Sequence, residues 1–285
     1  MPADSPGAGS TQATAGAQVL TSAVPLTLLQ RIEDSSLNAS APPQQRWLDG
    51  WIVRYNPGKA KRARCINAVA PGVRSAQDKL AECEALFDEA SLPLVVRITP
   101  FTQPAGLDAQ LAAQGWTRFD DTCVMVLPQL AGPSAGTPGL EPTLPTGWAE
   151  TVEHAQAFAH TVGALRGSSR LEIEAHAQRV THSPVPYTGV VWRDAAGQAQ
   201  VCGQIAREGD LVGLYDIFTA PPARGRGLAT AFCAALLGRA AQAGARTAYL
   251  QVDAANAPAR QVYFKLGFQD GYTYHYRSCS EAGAH

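Results

Sequence analysis

A glycine- and arginine-rich segment in the second half of the chain has the residue types of an anion-binding loop. It runs Thr219-Ala-Pro-Pro-Ala-Arg-Gly-Arg-Gly-Leu-Ala-Thr230 and joins a β-rich stretch to a helical one. The first amides of a helix have no partner within the helix, and glycine lets the backbone approach a ligand closely. The helix dipole and the charges of Arg224 and Arg226 add positive potential. The segment therefore predicts a site for a phosphate or pyrophosphate group.

The spacing excludes two common phosphate-binding patterns. No Lys-Ser or Lys-Thr follows the glycines, so the segment is not a P-loop. Thr230 stands where a dinucleotide-binding G-x-G-x-x-G would have its third glycine. The pattern that is present is R-x-x-G-x-A, as Arg224-Gly-Arg-Gly-Leu-Ala229. Taken alone, this pattern is equally typical of a plain strand-to-helix turn.

A second motif lies one strand further along the chain. It is Asn256-Ala-Pro-Ala-Arg-Gln-Val-Tyr-Phe-Lys-Leu-Gly-Phe268, which fits N-x-x-A-x-x-x-Y-x-x-x-G-F. Together the two motifs resemble the coenzyme A pyrophosphate loop and the following helix of the GNAT superfamily of N-acetyltransferases. The resemblance is strong over residues 148–279 and weak over 23–127. It implies an α/β (α+β) fold of two tandem GNAT-like domains, each a mixed, mostly antiparallel sheet flanked by helices.

The resemblance also implies acetyl-CoA as cosubstrate, bound in a V-shaped opening between the fourth and fifth strands. Main-chain groups at the end of the fourth strand would hold the pantetheine arm and the acetyl group. Tyr263 takes the place of the general acid that protonates the departing thiolate, and a catalytic or CoA-sulfur-contacting role is favoured over packing on the apolar face of its helix. The implied cofactor-binding residues are Ile217, Phe218, Thr219, Arg224, Gly225, Arg226, Gly227, Leu228, Ala229, Thr230, Asn256 and Arg260.

The proton acceptor for the attacking amine is less obvious. Related N-terminal acetyltransferases often carry a glutamate on the fifth strand, where this chain has Gln251. Asp216 is the best remaining carboxylate, and its apolar surroundings predict a raised pKa. A structural hydrogen-bond role for Asp216 is an equal alternative, and Asp253 and Glu172 are weaker candidates. A water chain would also suffice for an α-amine, whose pKa is near 8.

Composition divides the chain into four parts. Residues 1–22 are mostly small and polar, which predicts a disordered tail, and residues 128–145 have the composition of a linker. The halves at 23–127 and 146–285 resemble each other at an offset of about 150 residues. In the first copy Leu111 replaces the phenol and Pro104 the capping asparagine, and a 72–77 segment replaces the loop. This degenerate copy is predicted to bind no CoA productively and to shape the acceptor site or the domain interface, with Arg62-Ala-Arg64 and Gly50-Trp51 as segments of interest.

At the start of the second half, before both motifs, periodicity predicts helices over 150–165 and 169–180. Trp192 is expected in the core. Tyr272, Tyr274, His275 and Tyr276 lie on the last strand, where sheet packing is the simpler interpretation and a border of the acceptor pocket, with Arg166 and Arg170, is the alternative.

Composition excludes several classes of function. The chain has 285 residues and a formal net charge of -1, which argues against a nucleic-acid or membrane-surface partner. No apolar run is long enough for a transmembrane helix, and the first Lys or Arg is Arg31, so no signal peptide is expected. Six scattered cysteines without C-x-x-C pairs predict no metal site and a reducing, cytoplasmic location.

The predicted activity is transfer of an acetyl group from acetyl-CoA to a primary amine of a small molecule or peptide, by direct attack in a ternary complex. Two alternatives stay open: a non-catalytic CoA-binding sensor or scaffold, and a nucleotide-dependent enzyme that uses the same loop. The sequence does not predict the identity of the amine or the oligomeric state.

Overall fold

The computed structural model describes residues 22–130 and 144–280. The predicted tail and linker fall mostly outside these ranges and stay predictions. Within the described residues, the α-helices are α1 Leu26–Ala39, α2 Ala76–Glu89, α3 Leu107–Ala113, α4 Ala155–Arg166, α5 Arg170–Thr181, α6 Leu228–Gln242 and α7 Ala257–Lys265. The strands are β1 Gln45–Leu48, β2 Trp51–Arg54, β3 Ile66–Ala68, β4 Val95–Ile98, β5 Thr117–Leu127, β6 Ala149–Glu153, β7 Tyr187–Arg193, β8 Ala199–Glu208, β9 Leu211–Thr219, β10 Thr247–Asp253 and β11 Gln269–Ser278.

All of these strands form one mixed sheet in the order β1-β2-β3-β4-β11-β5-β10-β9-β8-β7-β6. Two neighbouring pairs are parallel, β3 with β4 and β9 with β10, and the others are antiparallel. The β9–β10 pairing ends at Leu214 and Leu250, beyond which the strands separate. The predicted α/β class, with a mixed, mostly antiparallel sheet flanked by helices, is confirmed.

The internal repeat is visible in the order of elements. The series β3, α2, β4, α3, β5 is repeated as β9, α6, β10, α7, β11. Corresponding elements begin about 150 residues apart, as Val95 at the start of β4 and Thr247 at the start of β10 illustrate. A repeat of this length corresponds to two copies of one domain.

The two copies exchange their last strands. β5 lies between β10 and β11 of the second half, and β11 lies between β4 and β5 of the first half. Tyr272, Tyr274, His275 and Tyr276 on β11 are therefore buried between the halves, with at most 4% of each exposed. The simpler interpretation of these residues, sheet packing, agrees with this burial. Neither half completes its sheet without the other.

A buried ion pair connects α1 to both halves of the sheet. The guanidinium of Arg97 on β4 donates to Glu33 on α1, with Nη2 at 3.1 Å from Oε2, and the Tyr272 hydroxyl donates to the same carboxylate. Burial alone would raise the pKa of Glu33, but the charge and hydrogen bonds of Arg97 keep that pKa below its usual value. The carboxylate is therefore ionised and paired in the folded protein.

The start of the second half differs from the expected helix over 150–165. Residues 149–153 form β6, which pairs with β7, and α4 begins only after His154, whose ring nitrogen caps it. The strand is fixed by contacts distant in sequence: Glu150 accepts from the Trp192 indole at 2.9 Å and Glu153 accepts from Arg193 at 2.6 Å. The helix predicted over 169–180 is confirmed as α5, and Trp192 is buried in the core.

Candidate functional site

The loop that opens α6 presents a row of unpartnered backbone amides. Gly225 and Gly227 have φ values of +74° and +75°, in the left-handed region that glycine adopts without strain. No heavy atom lies within 4 Å of a Cβ added at either position. Within the described residues, the amides of 225–230 have no hydrogen-bond acceptor, while Leu228 anchors the loop in the core. The loop can therefore accept an anion in open space at a helix N-terminus.

Two arginines of this loop lie against aromatic rings. Arg224 donates from Nε to the Thr219 carbonyl at 3.1 Å and stands 5.6 Å from the Phe218 ring centroid. The Arg226 guanidinium lies 5.8 Å from the Trp148 ring. Both residues are exposed, so they add positive charge at the mouth of the loop without being buried.

The corresponding loop in the first half is already filled by a side chain of the chain itself. The Asp49 carboxylate accepts from the amide of Val73 at 3.0 Å and from the amide of Arg74 at 2.8 Å. These backbone hydrogen bonds lower the pKa of Asp49. A Cβ at Gly72 would meet Asp49 Oδ2 at 2.2 Å. An internal carboxylate thus occupies the position that an external anion would need.

The rest of the motif is also missing from the first half. Leu111, which stands in place of the phenol, is fully buried in the core, and α3 begins after Gly106 without a side-chain cap. The first half thus differs from the second at the loop, at the cap and at the phenol position, and a degenerate domain over 23–127 stays a prediction.

Where β9 and β10 separate, a cavity of about 300 Å³ opens beside the second motif. Tyr263 lines it with 8% of its surface exposed, and burial raises the pKa of its hydroxyl. That hydroxyl stays protonated at neutral pH and is able to donate a proton. The other lining residues are Arg62, Arg166, Leu214, Tyr215, Asp216, Ile217, Leu250, Gln251, Val252, Asp253, Asn256 and Ala259.

Of the predicted cofactor-binding residues, Ile217 and Asn256 line this cavity and the others lie outside it. Asn256 caps α7, since its side chain accepts from the Ala259 amide at 3.1 Å. Phe218 and Thr219 continue β9 toward the α6 loop. Arg260 is paired with Asp270 at 2.7 Å and does not line the cavity.

Asp216 lies on an irregular section of β9. The register shifts where Gly203 faces Asp216 and Ile217, so β9 has a bulge there, and Asp216 itself has a φ of +53°. A Cβ at Gly203 would meet Ile217 Cδ1 at 2.4 Å, so a side chain opposite the bulge would displace Ile217. Bulges and positive φ at residues other than glycine often occur at functional sites.

The surroundings of Asp216 lower its pKa rather than raise it. Its carboxylate accepts from Arg166 Nη1 and from Gln204 Nε2, both at 2.7 Å, and His176 Nε2 lies 3.3 Å away. Burial alone would raise the pKa of Asp216, but His176, Arg166 and Arg179 hold it well below the usual range. The predicted upward shift is therefore wrong, because the sequence does not show which cations surround the carboxylate.

A second cavity of about 290 Å³ adjoins the first and shares Arg62, Arg166, Tyr215 and Asp216 with it. It lies between the 56–63 segment of the first half and the α4–α5 pair of the second. Its other lining residues are Ser40, Asn56, Pro57, Gly58, Lys59, Ala60, Ala63, Ser168, Glu172, Ala175, His176, Arg179 and Tyr187.

The other base candidates and Arg170 have local partners. Glu172 accepts from the Ser169 amide and pairs with Lys59 at 3.1 Å, and these contacts lower its pKa. Asp253 accepts from the Ala255 amide at 2.8 Å at the end of β10. Gln251 accepts from the Tyr274 hydroxyl at 2.8 Å. Arg170 pairs with Glu174 on the surface of α5 and lies outside both cavities.

Sequence reasoning missed His176, Gln204 and Arg179. Each comes from an element distant from the two motifs, so only the fold brings it to Asp216. Arg62 lies in a segment that the repeat had singled out, but the sequence did not show that it reaches the second half.

Comparisons with known proteins agree with this architecture. The family model described as "Probable histone acetyltransferase Rv0428c C-terminal" matches residues 27–277. No curated protein matches the sequence. A GCN5-related N-acetyltransferase from Kribbella flavida has a similar structure, with a TM-score of 0.58 and 16% identity over 88% of this chain and 95% of that one.

Two further solved structures are similar. A tandem GNAT protein from the clavulanic acid biosynthesis pathway has a TM-score of 0.58 and 18% identity, over 73% of this chain and 70% of that one. A functionally unknown conserved protein from Staphylococcus epidermidis has a TM-score of 0.57 and 10% identity, over 82% and 92% of the respective chains. At these identities the structures show a shared fold.

The described residues contain neither a metal-binding cluster nor a membrane-spanning helix. Over 22–130 and 144–280, no group of three or more His, Cys, Asp or Glu could hold a metal ion. In the same part of the chain, no helix combines the length and hydropathy needed to cross a bilayer.

Proposed function

The chain belongs to the family of probable histone acetyltransferases that the Rv0428c C-terminal region defines, and from this we propose that its second half transfers an acetyl group from acetyl-CoA to a primary amine. The amine nitrogen attacks the thioester carbon directly in a ternary complex, and the carbon–sulfur bond breaks. The acceptor is a small molecule or a peptide. The proposed catalytic domain spans 146–285, and the proposed degenerate domain spans 23–127.

One observation carries this proposal: the same half of the chain has an open row of amides at 225–230 and, where β9 and β10 separate, a cavity lined by the protonated phenol of Tyr263. The amides of Arg226, Gly227, Leu228, Ala229 and Thr230 would bind the pyrophosphate, with Arg224 and Arg226 adding charge. Gly225 and Gly227 leave room for the phosphates because nothing lies where their side chains would be. The filled loop at Asp49 supports a single CoA site per chain.

The separation of β9 and β10 supports a role for main-chain groups in catalysis. Pairing between the strands ends at Leu214, so the edge of β9 from Asp216 to Thr219 has no strand partner on the β10 side. Main-chain groups of Ile217, Phe218 and Thr219 would hold the pantetheine arm there. A donor aimed at the thioester oxygen stabilises the negative charge that develops on it during attack.

Tyr263 would protonate the departing thiolate. Its side chain lines the cavity, and burial keeps its hydroxyl protonated by raising its pKa. A phenol within hydrogen-bond reach is a competent donor to a thiolate, whose conjugate thiol has a pKa of about 8.5. Asn256 would support this position by fixing the start of α7.

The proton of the amine requires a separate acceptor, and we assign it to His176. The lowered pKa of Asp216 makes that carboxylate a poor base, but its oxygen lies 3.3 Å from His176 Nε2 and orients the imidazole ring. His176 lines the cavity between the two halves, with 15% of its side chain exposed. Asp216 then acts as a positioning residue.

Replacing His176 with asparagine tests this assignment. We expect kcat/KM to fall about 10²-fold, because a base contributes about 10²–10⁴-fold. Asp216→Asn should lower kcat less than His176→Asn does, since the imidazole loses only the carboxylate that orients it. The matched control is His160→Asn, on the exposed face of α4. A wild-type rate in His176→Asn would contradict the assignment and favour a water chain.

The general test of the proposal is transfer itself. Purified protein, acetyl-CoA and a panel of primary amines should release thiol and yield acetylated amine detectable by mass spectrometry. Saturable CoA binding with no transfer to any amine would instead indicate a sensor or scaffold. Thermal stabilisation by ATP or NAD but not by CoA would indicate a nucleotide-dependent protein.

A cytoplasmic location is part of the proposal and is supported by five buried, unpaired cysteines.

A further inference from the structure

The two cavities meet at a guanidinium that the first half contributes. Arg62 is the middle residue of the short helical turn Lys61–Ala63 and lines both cavities. Its Nη1 is inaccessible to solvent and has no hydrogen-bond partner among the residues that the structure describes. Within those residues no carboxylate oxygen lies within 4.0 Å of it. A buried, unpaired charge is costly, so this cation is expected to have a ligand.

The other charges of the 290 Å³ cavity are already paired, except one. Arg166 pairs with Asp216 at 2.7 Å, and Lys59 pairs with Glu172 at 3.1 Å. Arg179 on α5 has no carboxylate within 4.0 Å in the described chain, although its charge acts on Asp216 from farther away. The cavity therefore contains two guanidinium groups, from Arg62 and Arg179, that form no ion pair with an acid among the residues that the structure describes.

The position of Arg62 limits what it can recognise. Its Cζ lies 5.6 Å from the ring centroid of Tyr215, which places the guanidinium against an aromatic wall. The Tyr215 ring is held in place by a hydrogen bond between its hydroxyl and that of Tyr249, whose oxygens are 2.9 Å apart. A planar guanidinium held in this way binds carboxylate or phosphate oxygens in a defined geometry.

We propose that the acceptor is a small amine that also carries an anionic group, a carboxylate or a phosphate, and that Arg62 is the specificity-determining residue for that group. This inference rests on the proposed acetyl transfer. The anionic group would be bound by Arg62 with help from Arg179, while the amine lies beside Asp216 and His176 at the junction of the cavities. The first half, which has no open CoA loop, thereby supplies a substrate contact to the second.

The test compares amines that differ only in charge. Glycine, β-alanine and 4-aminobutyrate are paired with their carboxamides, phosphoethanolamine is paired with ethanolamine, and a lysine-rich peptide is included. Wild type should favour the anionic member of at least one pair by about tenfold or more in kcat/KM, because a site built for an ionised group rejects the analogue that lacks it. The carboxylate and phosphate arms distinguish the two sources of charge.

Variants identify the residue responsible. Arg62→Gln should reduce the preference to less than about threefold, and Arg62→Lys should retain part of it because the charge stays but the planar fork is lost. The control Arg207→Gln removes an exposed guanidinium that lines neither cavity and should change nothing. Calorimetric binding of the best anionic amine in the presence of CoA gives a readout that does not depend on turnover, and thermal melts establish that each variant is folded.

The possible outcomes separate the anionic-acceptor proposal from the acetyltransferase proposal. If CoA binds and transfer occurs but carboxylates and carboxamides react equally, or the lysine-rich peptide is the best acceptor, the anionic-acceptor proposal is overturned and the acetyltransferase proposal survives. An unchanged preference in a folded Arg62→Gln variant also overturns it. If CoA does not bind to wild type, the acetyltransferase proposal itself fails, and this inference fails with it.

Discussion

Replacing Tyr263 with phenylalanine is expected to lower kcat by about 10²–10⁴-fold, the usual contribution of a general acid. The change removes one hydroxyl from the wall of the 300 Å³ cavity and leaves the ring, which packs edge-on against Phe268 at 6.0 Å. The affinity for CoA should stay within about twofold of wild type, because the pyrophosphate contacts are elsewhere. Steady-state transfer rates together with calorimetric CoA binding check this.

A matched control is Tyr55→Phe, which removes a phenol that lines neither cavity. Its rates should equal those of wild type. If Tyr263→Phe transfers acetyl groups as fast as wild type, Tyr263 is a packing residue and the thiolate receives its proton from another group. A parallel loss of CoA affinity and rate would place the hydroxyl in binding rather than in proton transfer.

Replacing Glu33 with glutamine is expected to lower the free energy of unfolding by about 3–5 kcal/mol, because it leaves the Arg97 guanidinium buried without a counter-charge. Glu33 and Arg97 are 6% and 2% exposed, so the charge left on Arg97 stays largely buried. The pair joins α1 to β4, and Tyr272 on β11 donates to the same carboxylate. Urea unfolding followed by circular dichroism gives the comparison.

The double variant Glu33→Leu with Arg97→Met separates pairing from packing. Removing both charges should restore most of the lost stability, since apolar residues of similar volume can replace a buried ion pair.

Because the pKa of Glu33 is lowered in the folded protein, the stability that the ion pair contributes depends on pH. The stabilising contribution of Glu33 is fully present above the pKa that it has in the unfolded chain, near 4.3. This contribution is lost as the pH falls through the lower pKa that Glu33 has in the folded protein. Wild type should therefore lose its advantage over Glu33→Gln in acid, and a constant difference would contradict the ionised pair.

The elements around the two motifs were predictable because their signals are local. The glycines of the α6 loop, the Asn256 cap and the apolar face of α6 lie within single segments, and each of these elements forms where its pattern predicts. The repeat was also visible, since its two copies keep the same order of elements.

The failures concern contacts between distant segments. The tyrosine alternation on β11 predicts a strand, but it does not indicate that β5 of the other half separates β11 from β10. The pKa of Asp216 depends on Arg166 from α4 and on His176 and Arg179 from α5. The loop of the first half is occupied by the carboxylate of Asp49, and two strands, β2 and β3, separate Asp49 from that loop in the sequence. No pattern within one segment carries this information, because each contact is fixed only when the sheet is assembled.

The most direct test of the account is calorimetric titration of CoA into wild type, Gly227→Glu and Gly197→Glu. Both glycines have a φ near +75° and open space at Cβ, so the two variants carry a similar backbone strain, but only residue 227 brings a carboxylate to the α6 loop. We predict one CoA per wild-type chain, at least about tenfold weaker binding in Gly227→Glu through repulsion of the phosphates, and wild-type binding in Gly197→Glu. Equal affinities in all three proteins, or no saturable binding by wild type, would contradict the claim that this loop binds the pyrophosphate of CoA.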